Sequence, residues 1–182
     1  DCPAESIDLD GLKQAVTAEQ YDVVVHWSTY LSALEDLRAA RLIQQLRPQT
    51  RFVFMGTAPT WKPHEFQLNQ QSHVLLGEPE HTLRDLDAIW RGQGTMENTP
   101  GLGFWTQKGA FSRGGFRRLL DVTTLPMPDR RLLKGTYRAN RLEVSPITVM
   151  AVSRGCGFRC TFCCTNAVDQ AIDLEYKLLK PP

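Results

Sequence analysis

The sequence lacks any apolar run approaching the ~20 residues that cross a bilayer, and no cleavable leader is read ahead of its first amphipathic stretch. It is also short of net charge. Lys and Arg number 21 against 20 Asp and Glu, a balance of +1, which argues against a surface built for nucleic acid or an acidic partner. The expectation is a soluble, cytoplasmic protein with no transmembrane segment and no nucleic-acid partner. Cysteine is scarce except in one place: Cys2 stands alone, while Cys156, Cys160, Cys163 and Cys164 crowd together. A secreted disulfide scaffold spreads its cysteines along the chain, so a tight cluster points to a metal or an iron–sulfur centre instead.

What is present suits a packed α/β protein. An apolar fraction of 42% over 182 residues is enough for one domain and a piece of a second. Helical spacing of apolar residues runs over Ile7 to Glu19, about Ser32 to Leu46, Pro63 to Asn69 and His81 to Trp90. Between them lie short β-branched or aromatic runs, Tyr21 to His26, Arg51 to Met55 and Val74 to Gly77, with Gly56-Thr57-Ala58-Pro59 read as a turn. Strands alternating with helices imply a parallel sheet covered on both faces, a doubly wound domain. Ligands of such sheets sit beyond the carboxyl ends of the strands. The residues expected there are His26, Ser28, Thr29, Gly56, Thr57, Gly77 and Glu78.

The texture changes after Gly92. Glycine, proline and charge interrupt every apolar run from about Gln93 to Pro146, which reads as a structured linker. Within it, Thr99 to Trp105 suits a small hairpin strand, and Leu125-Pro126-Met127-Pro128-Asp129 a stiff turn. Ile147 to Val152 then reads as a new buried strand, and Ala167 to Leu179 as a helix.

The cysteine loop follows that strand at once. Gly155-Cys156-Gly157-Phe158-Arg159-Cys160-Thr161-Phe162-Cys163 has the spacing C-x3-C-x2-C. Three thiolates this close converge on one object. Three ligands on a 4Fe–4S cube, which usually takes four cysteines, leave one iron open. Gly155 and Gly157 let the backbone curl around the core. A zinc site is the plainer alternative, but the adjacent Cys163 and Cys164 chelate one tetrahedral ion poorly and no second C-x2-C knuckle exists. Cys164 is otherwise a small buried apolar residue.

Spacing, preceding strand and the aromatic before the last cysteine together resemble the radical S-adenosylmethionine (SAM) superfamily. The resemblance implies that Cys156, Cys160 and Cys163 hold a 4Fe–4S cluster whose open iron chelates SAM. It also implies reductive cleavage of SAM to a 5′-deoxyadenosyl radical, and a place for Phe162 beside the adenine. The stretch from Asp1 to Gly92 resembles the cobalamin-binding domain that precedes the radical SAM core in the subgroup that includes the anaerobic magnesium-protoporphyrin monomethyl ester cyclase. That resemblance rests on Asp22-Val23-Val24-Val25 before a Ser/Thr loop, Val53-Phe54-Met55-Gly56, Leu75-Leu76-Gly77-Glu78-Pro79-Glu80-His81-Thr82-Leu83, and Leu125-Pro126-Met127-Pro128.

Together these imply a Rossmann-like, flavodoxin-like cobalamin-binding domain over residues 1–92, a linker over 93–146, and the start of a radical SAM partial (β/α) barrel over 147–182. Cobalamin would lie against Gly56 and Gly77, with Ser28 and Thr29 bonding its tail or amide arms. Glu78 would touch the ligand or cap the next helix. The implied activity is methyl transfer to, or oxidative cyclisation of, an unactivated carbon in a small-molecule substrate, with an external electron donor such as flavodoxin or ferredoxin. The lower-ligand motif D-x-H-x-x-G is absent, Met55 stands where a glycine is common, and His26 is read as packing rather than ligating cobalt. His64, His73 and His81 read as surface or capping residues. No catalytic side chain is assigned.

The resemblance also implies a strand before Asp1, and more strand–helix units with a glycine-rich SAM segment after Pro182. The chain therefore reads as a piece truncated at both ends, inactive alone and poorly soluble near its carboxyl end. Two alternatives stay open at this point. One is a corrinoid- or nucleotide-binding module with a plain electron-transfer cluster, its fourth ligand Cys164 or Cys2. The other is a zinc-stabilised interaction domain.

Overall fold

The computed structural model describes residues 7–132 and, beyond them, 147, 148, 150, 154, 158 and 160–163. The chain divides into two compact units, Asp1–Gln20 with Asp121–Arg154, and Tyr21–Leu120 with Gly155–Pro182. In the first unit, helix α1 (Leu9–Ala18) starts at Asp8, whose side chain accepts the Gly11 N–H and so satisfies one donor of the open first turn. The same unit has two short 3₁₀ turns, Val122–Thr124 and Arg130–Leu132. Asp121 caps the first of them by accepting from Thr123.

The second unit is built on a five-stranded sheet. Its elements in chain order are β1 (Val23–Trp27), α2 (Ala33–Leu46), β2 (Arg51–Met55), α3 (Thr57–Trp61), a 3₁₀ turn (Pro63–Phe66), β3 (Ser72–Leu75), α4 (Glu80–Trp90), β4 (Leu102–Trp105) and β5 (Phe111–Arg113). The strands lie side by side in chain order. β1, β2 and β3 are parallel, with Val25 opposite Val53 and Phe54 opposite Val74. β3–β4 and β4–β5 are antiparallel.

Alternation along the strands gives each face its own core. One face presents Val53, Leu75, Leu102 and Phe104 to Leu86 of α4, with Leu83, Ile89 and Trp90 closing over them. The other face presents His26, Phe52 and Phe54 as a ladder of stacked rings, with Phe66 tilted against Phe54. α2 belongs to this second face: Gln44 donates to the Leu68 carbonyl, and Asp36 reaches Ser28 at the end of β1. A sheet with a helix on each face is the α/β architecture expected from the alternation of periods.

Four expectations change. The sheet is mixed rather than wholly parallel, and its described strands run in chain order without the reversal of a doubly wound sheet. The hairpin strand expected within Thr99 to Trp105 is present as β4, and its unexpected partner is β5, with the N–H groups of Gly101 and Gly114 bonding the carbonyls of Gly115 and Leu102 to fold the hairpin back. Gly56 to Pro59 is not a plain turn but opens α3. Pro59 is tolerated there because a first-turn residue needs no N–H partner. The helix expected over Pro63 to Asn69 shrinks to the 3₁₀ turn Pro63–Phe66, after which Asn69 and Ser72 hydrogen-bond each other and the intervening backbone.

Of the strand expected over Ile147 to Val152, the described residues Ile147, Thr148 and Met150 are irregular, and Met150 is 60% exposed. No described strand pairs with them, and a barrel strand is buried only by neighbours. The helix expected over Ala167 to Leu179 lies outside the described residues.

Candidate functional site

The carboxyl ends of β1, β2 and β3 lie along one edge of the sheet, and backbone hydrogen bonds tie the first two together. The Ser28 N–H donates to the Met55 carbonyl at 2.8 Å, and the Ala58 N–H to the Ser28 carbonyl at 3.4 Å. Gly56 has φ +109°, and a Cβ on it would stand 2.4 Å from the Ser28 carbonyl oxygen. Gly77 has φ +78°. Both glycines occupy conformations that L side chains avoid. Thr60 joins them: its Oγ1 donates to the Gly56 carbonyl at 2.7 Å and accepts the Gly77 N–H at 3.1 Å.

Ser28 is fully buried, and its hydroxyl donates to Asp36 Oδ2 at 2.6 Å. The Thr29 hydroxyl lies 3.1 Å from the Ser32 hydroxyl, which also accepts the Thr29 N–H. Both hydroxyls expected to face a ligand are thus engaged in shaping the β1–α2 loop. α4 is preceded by Pro79, which offers no side-chain cap, and Glu78 reaches to the segment after β5. Its Oε2 accepts the Leu120 N–H at 2.5 Å. Of the sequence-derived set, the structure brings Ser28, Gly56 and Gly77 onto one edge, with Thr29 and Glu78 beside the first and last. The same edge shows Trp27, 60% exposed, and Leu31, 99% exposed. Apolar surface beside small-residue loops fits one face of a broad, flat ligand better than a compact polar one.

His26 does not open onto this edge. Its ring stacks 5.3 Å from Phe54, and burial lowers its pKa against the opposing pull of Asp36. The packing role read from the sequence agrees with this ring stack. Its Nε2 is buried with no partner among the described residues. His73 is a correction: it is buried rather than surface-facing, because the register sets it opposite Val53 and Phe104, edge-on to Trp90. Desolvation there lowers its pKa to about 4. His64 packs edge-on against Phe111.

Sequence reasoning missed Asp36, Thr60 and the group formed by Thr82, Asp85 and Arg117. Arg117 pairs with Asp85 and donates to Thr82 Oγ1 at 3.0 Å, strapping the segment after β5 onto α4. Only the Gly-x-x-x-Thr spacing hinted at Thr60, and that signal needs α3 to be recognised first.

In the cysteine loop the Cys163 N–H donates to the Cys160 carbonyl at 3.2 Å. Cys160 to Cys163 is therefore a turn, which brings its first and last α-carbons within about 7 Å. Both residues are thiols rather than disulfide halves. Two thiols across one turn suit a shared iron–sulfur core. Phe162, between them, is 91% exposed and offers a flat apolar face. Cys156 lies outside the described residues, as do Cys2 and Cys164. Among the described residues no group of three metal-ligating side chains is assembled, and no helix is long and apolar enough to cross a membrane.

Solved structures share this fold. The cobalamin-dependent S-adenosylmethionine radical enzyme OxsB, with aqua-cobalamin and S-adenosylmethionine bound, superposes on 62% of this chain with a TM-score of 0.54 at 14% identity. The same enzyme with aqua-cobalamin alone gives a TM-score of 0.53 over the same 62%. This chain spans 16% of the length of that enzyme. No protein-family profile matches the sequence, and no curated protein is detectably similar to it. The likeness establishes an α/β, Rossmann-like sheet.

Proposed function

We propose that this chain is the corrinoid-binding and cluster-binding portion of a cobalamin-dependent radical SAM enzyme. The observation that carries the reading is a conjunction: a C-x3-C-x2-C loop whose last two thiols span a single turn, on a chain whose sheet has the fold of an enzyme that binds both cobalamin and SAM. Either alone is weaker, since one fold hosts many functions.

Cys156, Cys160 and Cys163 hold the cluster as thiolates, so loading it displaces protons and grows tighter as pH rises. Phe162 lays its exposed ring where a purine can stack. At the sheet edge, Gly56 and Gly77 keep the loop backbone free of side chains, and Trp27 and Leu31 present apolar surface to a macrocycle. Ser28 and Thr29 act by shaping that edge through Asp36 and Ser32. A cluster held by Cys156, Cys160 and Cys163 would supply one-electron reduction of SAM, with flavodoxin or ferredoxin as the electron source, and a corrinoid at the sheet edge would supply a methyl group where the reaction is methyl transfer. The reaction class is methyl transfer or oxidative cyclisation at an unactivated carbon of a small molecule.

The experiment is anaerobic reconstitution of the full polypeptide with iron, sulfide and hydroxocobalamin, followed by metal analysis. About four irons and one cobalt per chain are expected. Zinc in place of iron, or cobalamin lost on gel filtration, refutes the reading.

A further inference from the structure

We infer that Thr60 is the positioning residue that sets the spacing of the two glycine loops at the sheet's carboxyl edge, and so the affinity of that edge for a corrinoid. The inference rests on the corrinoid-binding reading above. Gly56 directly follows β2 and Gly77 stands two residues beyond the end of the adjacent parallel β3, both at positive φ. After Met55 and Leu75 the strand ladder stops, so no β-ladder bond holds the loops to each other. Thr60 supplies the missing link with one atom. Oγ1 donates to Gly56 O at 2.7 Å and accepts from Gly77 N–H at 3.1 Å, while the Thr60 N–H also reaches Gly56 O at 3.3 Å. The side chain is buried, so water does not replace the bridge. Gly56 is held in turn by the Ser28 carbonyl, which leaves no room for a Cβ. The three loops thus form one rigid rim whose β2-to-β3 gap is fixed by a hydroxyl. Preorganised rims bind tightly because the ordering cost is met before the ligand arrives.

The opposite end of the same sheet contains a matched control. Thr50 is also buried, and its Oγ1 donates to the Tyr21 carbonyl at 3.1 Å at the amino end of the strands. Thr60→Val and Thr50→Val each delete one buried hydroxyl, one at the proposed ligand edge and one away from it. Thr60→Ser keeps the bridging oxygen.

The test is hydroxocobalamin binding to the full polypeptide, followed by visible absorbance, with amide exchange at Gly77 and thermal melting measured on the ligand-free protein. Thr60→Val is expected to weaken binding tenfold or more and to speed Gly77 exchange, while Thr60→Ser stays within about threefold of wild type. Thr50→Val is expected to melt earlier yet bind as wild type does. Equal affinity in wild type and Thr60→Val, or equal weakening in Thr50→Val, overturns the role of Thr60 alone. A wild-type protein that binds no corrinoid overturns the functional reading and this inference together.

Discussion

The Cβ that Gly56 lacks would stand 2.4 Å from the carbonyl oxygen of Ser28. That approach couples the end of β2 to the end of β1 and leaves the residue at φ +109°. A graded series follows. Gly92 and Gly109 also have positive φ but nothing within 4 Å of a built Cβ. Alanine at either is expected to cost about 1 kcal/mol for the backbone alone. Alanine at Gly56 adds a clash with backbone and is expected to cost about 3 kcal/mol or more. Urea denaturation of the three variants gives the order.

The strap over α4 makes a second prediction. Thr82 Oγ1 donates to the Pro100 carbonyl and accepts from Arg117, whose guanidinium pairs with the half-buried Asp85. Thr82→Val leaves the Pro100 carbonyl and the Arg117 Nε each short of a bond in a part-buried place. It is expected to cost about 2 kcal/mol. Limited proteolysis should then cut within residues 114–120 well before it cuts the wild type.

Stability should fall on the acid side through His73. Its folded pKa of about 4 lies below the ordinary value of 6.5, so the unfolded chain takes up the proton first. The contribution is complete above pH 6.5 and is lost as pH falls from there towards 4, a drop of about 3 kcal/mol. His73→Leu is expected to flatten this slope in equilibrium unfolding measured from pH 7 to pH 4.

The cysteines separate a SAM cluster from a plain electron carrier. Cys160→Ala and Cys163→Ala are each expected to lose most of the bound iron. Cys164→Ala and Cys2→Ala are expected to keep it, because the proposed site uses three ligands. Iron and sulfide analysis of the four anaerobically reconstituted variants decides between them.

Much of this was legible in the residues. The short runs read at Tyr21 to His26, Arg51 to Met55 and Val74 to Gly77, and the 3.6-residue spacing of Leu37, Ala40 and Ile43, follow local rules, and the elements stand within a few residues of where those rules put them. The direction of β4 was not legible. Leu102-Gly103-Phe104-Trp105 reads alike either way, and its sense is set by hairpin bonds to residues further along. His73 looked like a surface histidine because only the register with Val53 and Phe104 buries it. The Thr60 bridge and the Ser28–Asp36 bond depend on loops from separate elements meeting, which no local pattern records. The cysteine spacing was plain from the start, since adjacency in sequence forces adjacency in space.

Electron paramagnetic resonance of the anaerobically reduced full polypeptide, recorded before and after adding SAM, bears most directly on the proposed chemistry. The account predicts a reduced 4Fe–4S signal that shifts when SAM is added, because one iron has no cysteine and is open to it. A signal indifferent to SAM, or no iron signal at all, would contradict it.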